Sequence, residues 1–206
     1  MPVEGRSLRL MSKPSRRILI LVGHPDPAPD RFCRALAEAY AQGAIAGGHE
    51  IRRADIGTMD IPLLESQAAF QVDDVTPLIR DLRADILWAD HLVLVFPLWL
   101  GGVPAKLKAA LEQVFRGGFG FEVGPKGWNS KLSGRSARMV LTMGMPSAIF
   151  RLVFGSHGLK AVTQGIFMLA GVKPTRASIV GGVEAIGPGG RSRWLERMAD
   201  LGAAAS

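Results

Sequence analysis

The chain reads as an α/β protein: a five-stranded parallel sheet with helices on both faces. Three observations predict this. Short unbroken apolar runs recur along the sequence, as expected for strands covered on both sides. Segments with 3.6-residue apolar periodicity fill the gaps between them. The two patterns alternate from one end to the other, an order that right-handed crossovers turn into a doubly wound sheet.

The elements follow in order. Ile18-Leu19-Ile20-Leu21-Val22 is the first buried strand. Phe32, Leu36, Ala39 and Tyr40 then form a helical stripe, with Asp30 placed to act as its N-cap. His49 to Arg53 is a weaker, polar run that suits a sheet edge. Ile79, Leu82 and Ile86 mark the second helix, and Leu92-Val93-Leu94-Val95-Phe96 the central strand. Val103, Leu107, Leu111, Val114 and Phe115 line the next helix, with Pro104 in its first turn, where a missing N–H costs little. Met139 to Thr142 and Ser178 to Val180 complete the sheet. Leu159, Val162, Ile166 and Leu169 mark a fourth helix, and Trp194, Met198 and Leu201 a fifth that ends at Gly202. Residues 116–136 and 143–157 do not fit the alternation. Connections of that length are usually functional, and both follow segments near the C-terminal side of the sheet, where open α/β folds bind ligands.

Composition narrows the functions. Hydrophobic residues make up 48% and charged residues 21% of 206, which is globular. The net charge is +7, but residues 1–17 carry +4 of it and the body only +3. That distribution gives no basic face for nucleic acid. Residues 1–16 read as a loose basic tail before a single domain over 17–206. The most apolar window, Ile86 to Pro104, contains Asp90 and His91 and is broken by Pro97, Gly101 and Gly102, so no membrane insertion is expected. A single cysteine, Cys33, and four scattered histidines offer no metal site. The expected location is cytoplasmic.

Common catalytic signatures are absent: there is no phosphate-binding G-x-x-x-x-G-K-[ST], no G-x-G-x-x-G after the first strand and no G-x-S-x-G. Two loops remain. Gly23 to Cys33 leads from a buried strand into a helix N-terminus, which favours an anion, and Arg31 adds a cation. Phe96-Pro97-Leu98-Trp99-Leu100-Gly101-Gly102-Val103-Pro104 offers glycines for close backbone approach and apolar surface for a flat ligand.

These loops carry a resemblance. His24-Pro25-Asp26-Pro27 with Arg31-Phe32-Cys33, the run from Phe96 to Pro104 with Lys108, Leu111 and Val114-Phe115 after it, and Gly155-Ser156-His157-Gly158 together resemble the NAD(P)H:quinone oxidoreductase family, whose members are flavodoxin-like flavoproteins. The resemblance covers about residues 17–201. It implies a flavin phosphate loop at His24, Asp26, Arg31, Phe32 and Cys33. It implies a ring site at Pro97, Leu98, Trp99, Leu100 and Gly101, with Thr142, Met143 and Gly144 along the ring's edge. His157 matches a catalytic histidine. The tyrosine often paired with it is missing, since the only tyrosine is Tyr40. The long first loop is similar to the FAD-binding branch, so FAD is expected, with FMN the alternative. NAD(P)H would be the electron donor, a quinone the acceptor, and the assembly a homodimer. A flavin-binding regulatory subunit and an azo- or nitro-compound reductase share the same motifs.

Overall fold

The computed structural model describes residues 14–206 apart from residue 126. Of the basic N-terminal tail, residues 1–13 lie outside the described residues. Ser15 and Arg16 are already tied to the body: the Ser15 hydroxyl donates to the Gly48 carbonyl, and the Arg16 guanidinium donates to the carbonyls of Asp90 and Ala205.

The chain runs β1 (Arg17–Val22), α1 (Phe32–Ala46), β2 (Glu50–Asp55), a single 3-10 turn, α2 (Gln67–Gln71), α3 (Pro77–Trp88), β3 (His91–Pro97), α4 (Ala105–Phe115), β4 (Phe121–Gly124), β5 (Gly127–Ser130), β6 (Ser136–Thr142), α5 (Ser147–Leu152), α6 (His157–Val162), β7 (Thr175–Val180) and α7 (Gly187–Ala203). Five strands form one parallel sheet in the order β2-β1-β3-β6-β7. The expected sheet is therefore present, with the polar run of β2 at an edge.

Alternation along each strand sorts the core into two layers. Leu19, Leu21, Leu92, Leu94, Phe96, Met139 and Leu141 face one way, against α3 and α4. Ile18, Ile20, Val22, Val93, Val95, Val140 and Val180 face the other, against α1 and α7. Burying each large apolar side chain contributes about 1.5–3 kcal/mol, so neither layer can be dropped. On the second face α1 and α7 touch through glycine. A Cβ on Gly43 would sit 1.9 Å from the Ala199 carbonyl oxygen, and one on Gly202 2.1 Å from that of Tyr40.

Three local details differ from the sequence reading. Arg31, not Asp30, is the N-cap of α1, and no side chain caps it. The long connection at 116–136 folds into the antiparallel β4–β5 hairpin, closed by Phe121 stacked on Trp128. The connection at 143–157 contains α5, and the helix after it, α6, widens into a π-helical stretch over Thr163–Met168.

Because all five sheet strands are parallel, β1, β3, β6 and β7 end at the same edge. The chain goes from β1 to β2 on one side and returns to β3 on the other. The crevice between the ends of β1 and β3 is thus the topological switch point, where doubly wound sheets bind ligands.

Candidate functional site

The loop after β3 makes the floor of the site. Leu98 N–H donates to the Thr142 carbonyl at 2.8 Å, which fastens the loop to β6. Trp99 and Gly102 exchange N–H···O bonds of 3.0 and 2.9 Å, closing a two-residue turn around Leu100 and Gly101. Both central residues have positive φ, 47° at Leu100 and 79° at Gly101. Glycine adopts this geometry freely, but leucine pays of order 1–3 kcal/mol for it. The strained Leu100 is fully exposed. Among the described residues neither the Leu100 nor the Gly101 amide has a backbone partner, which leaves two N–H donors at the turn.

Above this turn lies a cavity of about 460 Å³, a usual size for a small-molecule site. The turn contributes Leu98, Leu100 and Gly101; the loop after β6 contributes Met143, Gly144 and Met145. Phe150, Phe154 and His157 close the far wall. Gly158 seats that wall against the turn: a Cβ there would fall 2.0 Å from the Gly101 oxygen, so only glycine permits the approach. The His157 side chain is exposed at the cavity's lip.

The first loop lies beside this cavity. His24 is buried, meets Trp99 edge-on at 5.9 Å and accepts the Asp26 N–H on Nδ1 at 3.1 Å. Burial pushes its pKa below the usual histidine value, so the ring is neutral near pH 7. Asp26 accepts the Ala28 N–H and pairs with Arg31 at 2.6 Å, and these contacts hold its carboxyl below the usual range. Arg31, expected to supply a cation, is therefore already partnered. Arg34 pairs with Asp55 and also donates to the Asp26 carbonyl of the loop at 3.3 Å.

The structure thus divides the sequence-predicted residues into three groups. Leu98, Leu100, Gly101, Met143, Gly144 and His157 come together around one cavity. Pro97, Thr142 and Cys33 lie beneath it. Pro97 pairs with Thr142 in the sheet, and the Cys33 thiol lies 3.2 Å from the Thr142 hydroxyl. Burial raises that thiol to about 11, so it is an inert packing group rather than a reactive one. His24, Asp26, Arg31, Phe32 and Trp99 form the adjoining loop wall.

Sequence reasoning missed one side chain here. Arg191, at the start of α7, lies 4.8 Å over the Phe32 ring and donates to the Val183 carbonyl. Among the described residues it has no carboxylate partner. Beyond it, Ile186, Gly190, Arg193, Trp194 and Arg197 line a second hollow of about 390 Å³. Arginines in the first turns of a helix oppose its dipole. That misplaced charge after Gly187-Pro188-Gly189-Gly190 was the available signal.

A flavin can be tested against this geometry. A Cβ built on Gly101 or Gly102 meets no atom within 4 Å, so the turn presents open backbone to a flat ring. The free amides can serve its polar edge, and the methionines and phenylalanines its apolar faces. The uncapped N-terminus of α1 leaves backbone N–H groups for a phosphate. The donor set fits. Among the described residues no cluster of His, Cys, Asp and Glu could hold a metal, and no helix is long and apolar enough to cross a membrane.

Known proteins agree with this architecture. A family model described as a flavodoxin-like fold matches residues 16–200. A ribosyldihydronicotinamide dehydrogenase-like protein of Penicillium crustosum is 26% identical over 155 residues, which are 62% of this chain and 57% of that protein, so the match spans little more than half of that relative. An FMN-dependent NADH:quinone oxidoreductase of Ruegeria pomeroyi is 28% identical over 143 residues, 62% of this chain and 70% of that one. The NAD(P)H:quinone oxidoreductase of Methanothermobacter marburgensis superposes with a TM-score of 0.79 at 22% identity, covering 92% of this chain and 96% of that one. The resemblance read from the sequence is borne out: the chain belongs to the flavodoxin-like fold family.

Proposed function

We propose that the protein is a flavin-dependent NAD(P)H:quinone oxidoreductase. One observation carries this reading: the cavity between the β3 and β6 loops, floored by a glycine turn with free amides and walled by Met143, Phe150 and His157. Relatives named as quinone oxidoreductases support it.

A bound flavin supplies hydride uptake from NAD(P)H and two-electron delivery to the acceptor. The chain does the rest. Leu100 and Gly101 present amides that favour negative charge at the ring's edge. Phe150, Phe154 and Met145 keep water off one face. His157, at the lip, holds or releases a proton close to where that charge develops.

FAD is the flavin this reading favours. Arg191 over Phe32, with Arg193, Trp194 and Arg197 beyond, offers cations and an aromatic face for a second phosphate and an adenine. FMN would leave that hollow unused. The apolar side chains of Ile149, Leu152, Val153 and Phe154 are exposed beside the cavity. Monomers rarely expose such a patch, and a second copy packed there would complete the wall, which supports a homodimer.

The decisive measurements are the absorption spectrum of the purified protein, the mass of the released chromophore, and steady-state NADH and NADPH oxidation with and without a quinone. A folded protein that stays colourless after incubation with FAD and FMN overturns the reading. A yellow protein without turnover would make it a regulatory flavin module, and faster turnover of an azo dye than of a quinone would reassign the acceptor. Leu152→Asp with Val153→Asp should convert the dimer to monomer in sedimentation; an unchanged dimer would put the interface elsewhere.

A further inference from the structure

Two cations stand at the unfavourable end of their helices. Arg34 is the third residue of α1 and Lys106 the second of α4. A cation in a first turn opposes the helix dipole, and neither first turn holds an acidic residue to offset it. Both side chains reach the same place, the corner over Asp55 to Thr58 where β2 ends.

Arg34 arrives from α1. Its guanidinium pairs with the Asp55 carboxylate, with Nη2 donating to Oδ1 at 2.9 Å. The same Nη2 donates to the Asp26 carbonyl at 3.3 Å, so one side chain joins the end of β2 to the first loop of the site. With side chains 16% and 26% exposed, this is the only ion pair among the described residues in which neither partner is as much as a third exposed. Exposed pairs hold geometry weakly; an enclosed one is a fixed contact. The pairing also carries a standing cost, since Arg34 Nε is buried without a hydrogen-bond partner.

Lys106 arrives from α4. Its ammonium donates to the Gly57 carbonyl at 2.7 Å. Because α4 begins at Ala105, just after the Leu100–Gly101 turn, this bond ties the corner to the floor of the cavity. The corner itself is closed: the Asp55 carboxylate accepts the Gly57 N–H, and the Thr58 hydroxyl donates to the Asp55 carbonyl, both at 3.0 Å. A Cβ on Gly57 would fall 2.8 Å from the His24 carbonyl oxygen and 2.9 Å from Arg34 Nη2, so only glycine lets the corner lie against the first loop.

We infer that Arg34, Asp55 and Lys106 form a bracket that fixes the spacing between the two loops of the cavity, and that they are positioning residues for the flavin. This role rests on the flavin site proposed above. Arg34 and Asp55 hold the Asp26 end, beside the α1 N-terminus that offers amides to a phosphate. Lys106 holds the helix that follows the turn under the ring. A displacement of about 1 Å in a positioned site can cost on the order of 100-fold.

The test compares FMN with riboflavin, which has the same ring without the phosphate, by fluorescence titration of the flavin-free full chain. Arg34→Met should weaken FMN about tenfold and riboflavin less than about threefold, because only the phosphate end moves. Asp55→Asn should also weaken FMN more than riboflavin, although it removes a negative charge; an effect of charge alone would tighten FMN there. Lys106→Met should weaken both ligands alike. Hydrogen exchange at the Asp26 and Ala28 amides, measured without flavin, should quicken in Arg34→Met while global melting stays within a few degrees of the parent. Equal losses of FMN and riboflavin in Arg34→Met overturn the inference, as does tighter FMN binding in Asp55→Asn. A parent that binds neither flavin overturns the redox reading rather than the bracket, and the exchange rates then decide: unchanged protection in both Arg34→Met and Asp55→Asn overturns the bracket as well.

Discussion

His157 is exposed at the lip of the cavity, and its neighbours there are backbone and apolar groups rather than a second acid or base. A lone positioned imidazole contributes toward the low end of the usual acid–base range, about 10²–10⁴ in rate. His157→Ala should therefore lower turnover by roughly tenfold to a hundredfold while retaining the flavin. Stopped-flow reduction and reoxidation would locate the affected half-reaction. Rates equal to the parent across pH 6 to 8 would make His157 a structural residue. In the sequence this histidine was singled out by the resemblance, through Gly155-Ser156-His157-Gly158. Arg191 was not legible: its meaning comes from a contact with Phe32, more than 150 residues earlier in the chain, and no local pattern encodes that. Arg31 was legible as a cation but not as a neutralised one, since its pairing with Asp26 depends on how the proline-rich loop turns back.

At the scale of the element, the turn after β3 separates strain from occupancy. Gly101 has φ of 79°, so any branched residue there is strained before a ligand is considered. Asparagine tolerates positive φ far better. Gly101→Asn should therefore keep the melting temperature within a few degrees and still weaken flavin binding at least tenfold, because its side chain enters space that is open in the parent. Gly101→Val should lose both stability and flavin. Parental flavin affinity in the asparagine variant would place the ring elsewhere. The strands and the four longer helices were readable because burial on both faces, or on one stripe, forces apolar periodicity into the sequence. The β4–β5 hairpin and α5 were not. The hairpin stands apart from the main sheet with its strands largely exposed, and α5 spans only Ser147–Leu152 with Phe150 as its one buried residue. Neither is long enough, or buried enough, to write a period.

For the whole molecule, the parallel sheet separates two environments, an open apolar edge at the strand ends and a basic edge at the strand beginnings. The second makes folding sensitive to acid. His91 is buried beneath Arg16, Arg138, Arg176 and His49 and stacked beside Tyr40, with desolvation the largest cause holding its pKa down at about 3. An unfolded histidine titrates near 6.5. Between those values the unfolded chain binds a proton that the folded chain refuses, so stability falls as pH drops. The full contribution is present above about pH 6.5, and loss continues down to the folded value of about 3. His24, also lowered by burial, acts in the same direction. Asp26 and Asp90, whose pKa values are lowered chiefly by hydrogen bonds, add their loss only below the ordinary carboxylate range, near 4. The melting temperature in phosphate-free buffer should therefore begin to fall below about pH 6.5, before any carboxylate titrates. His91→Gln keeps a polar side chain at the start of β3 without a titrating proton. It should start from a lower melting temperature at pH 7.5 but lose less between pH 6.5 and 5. Parallel curves for parent and variant over that interval would show that the early acid limb comes from another group.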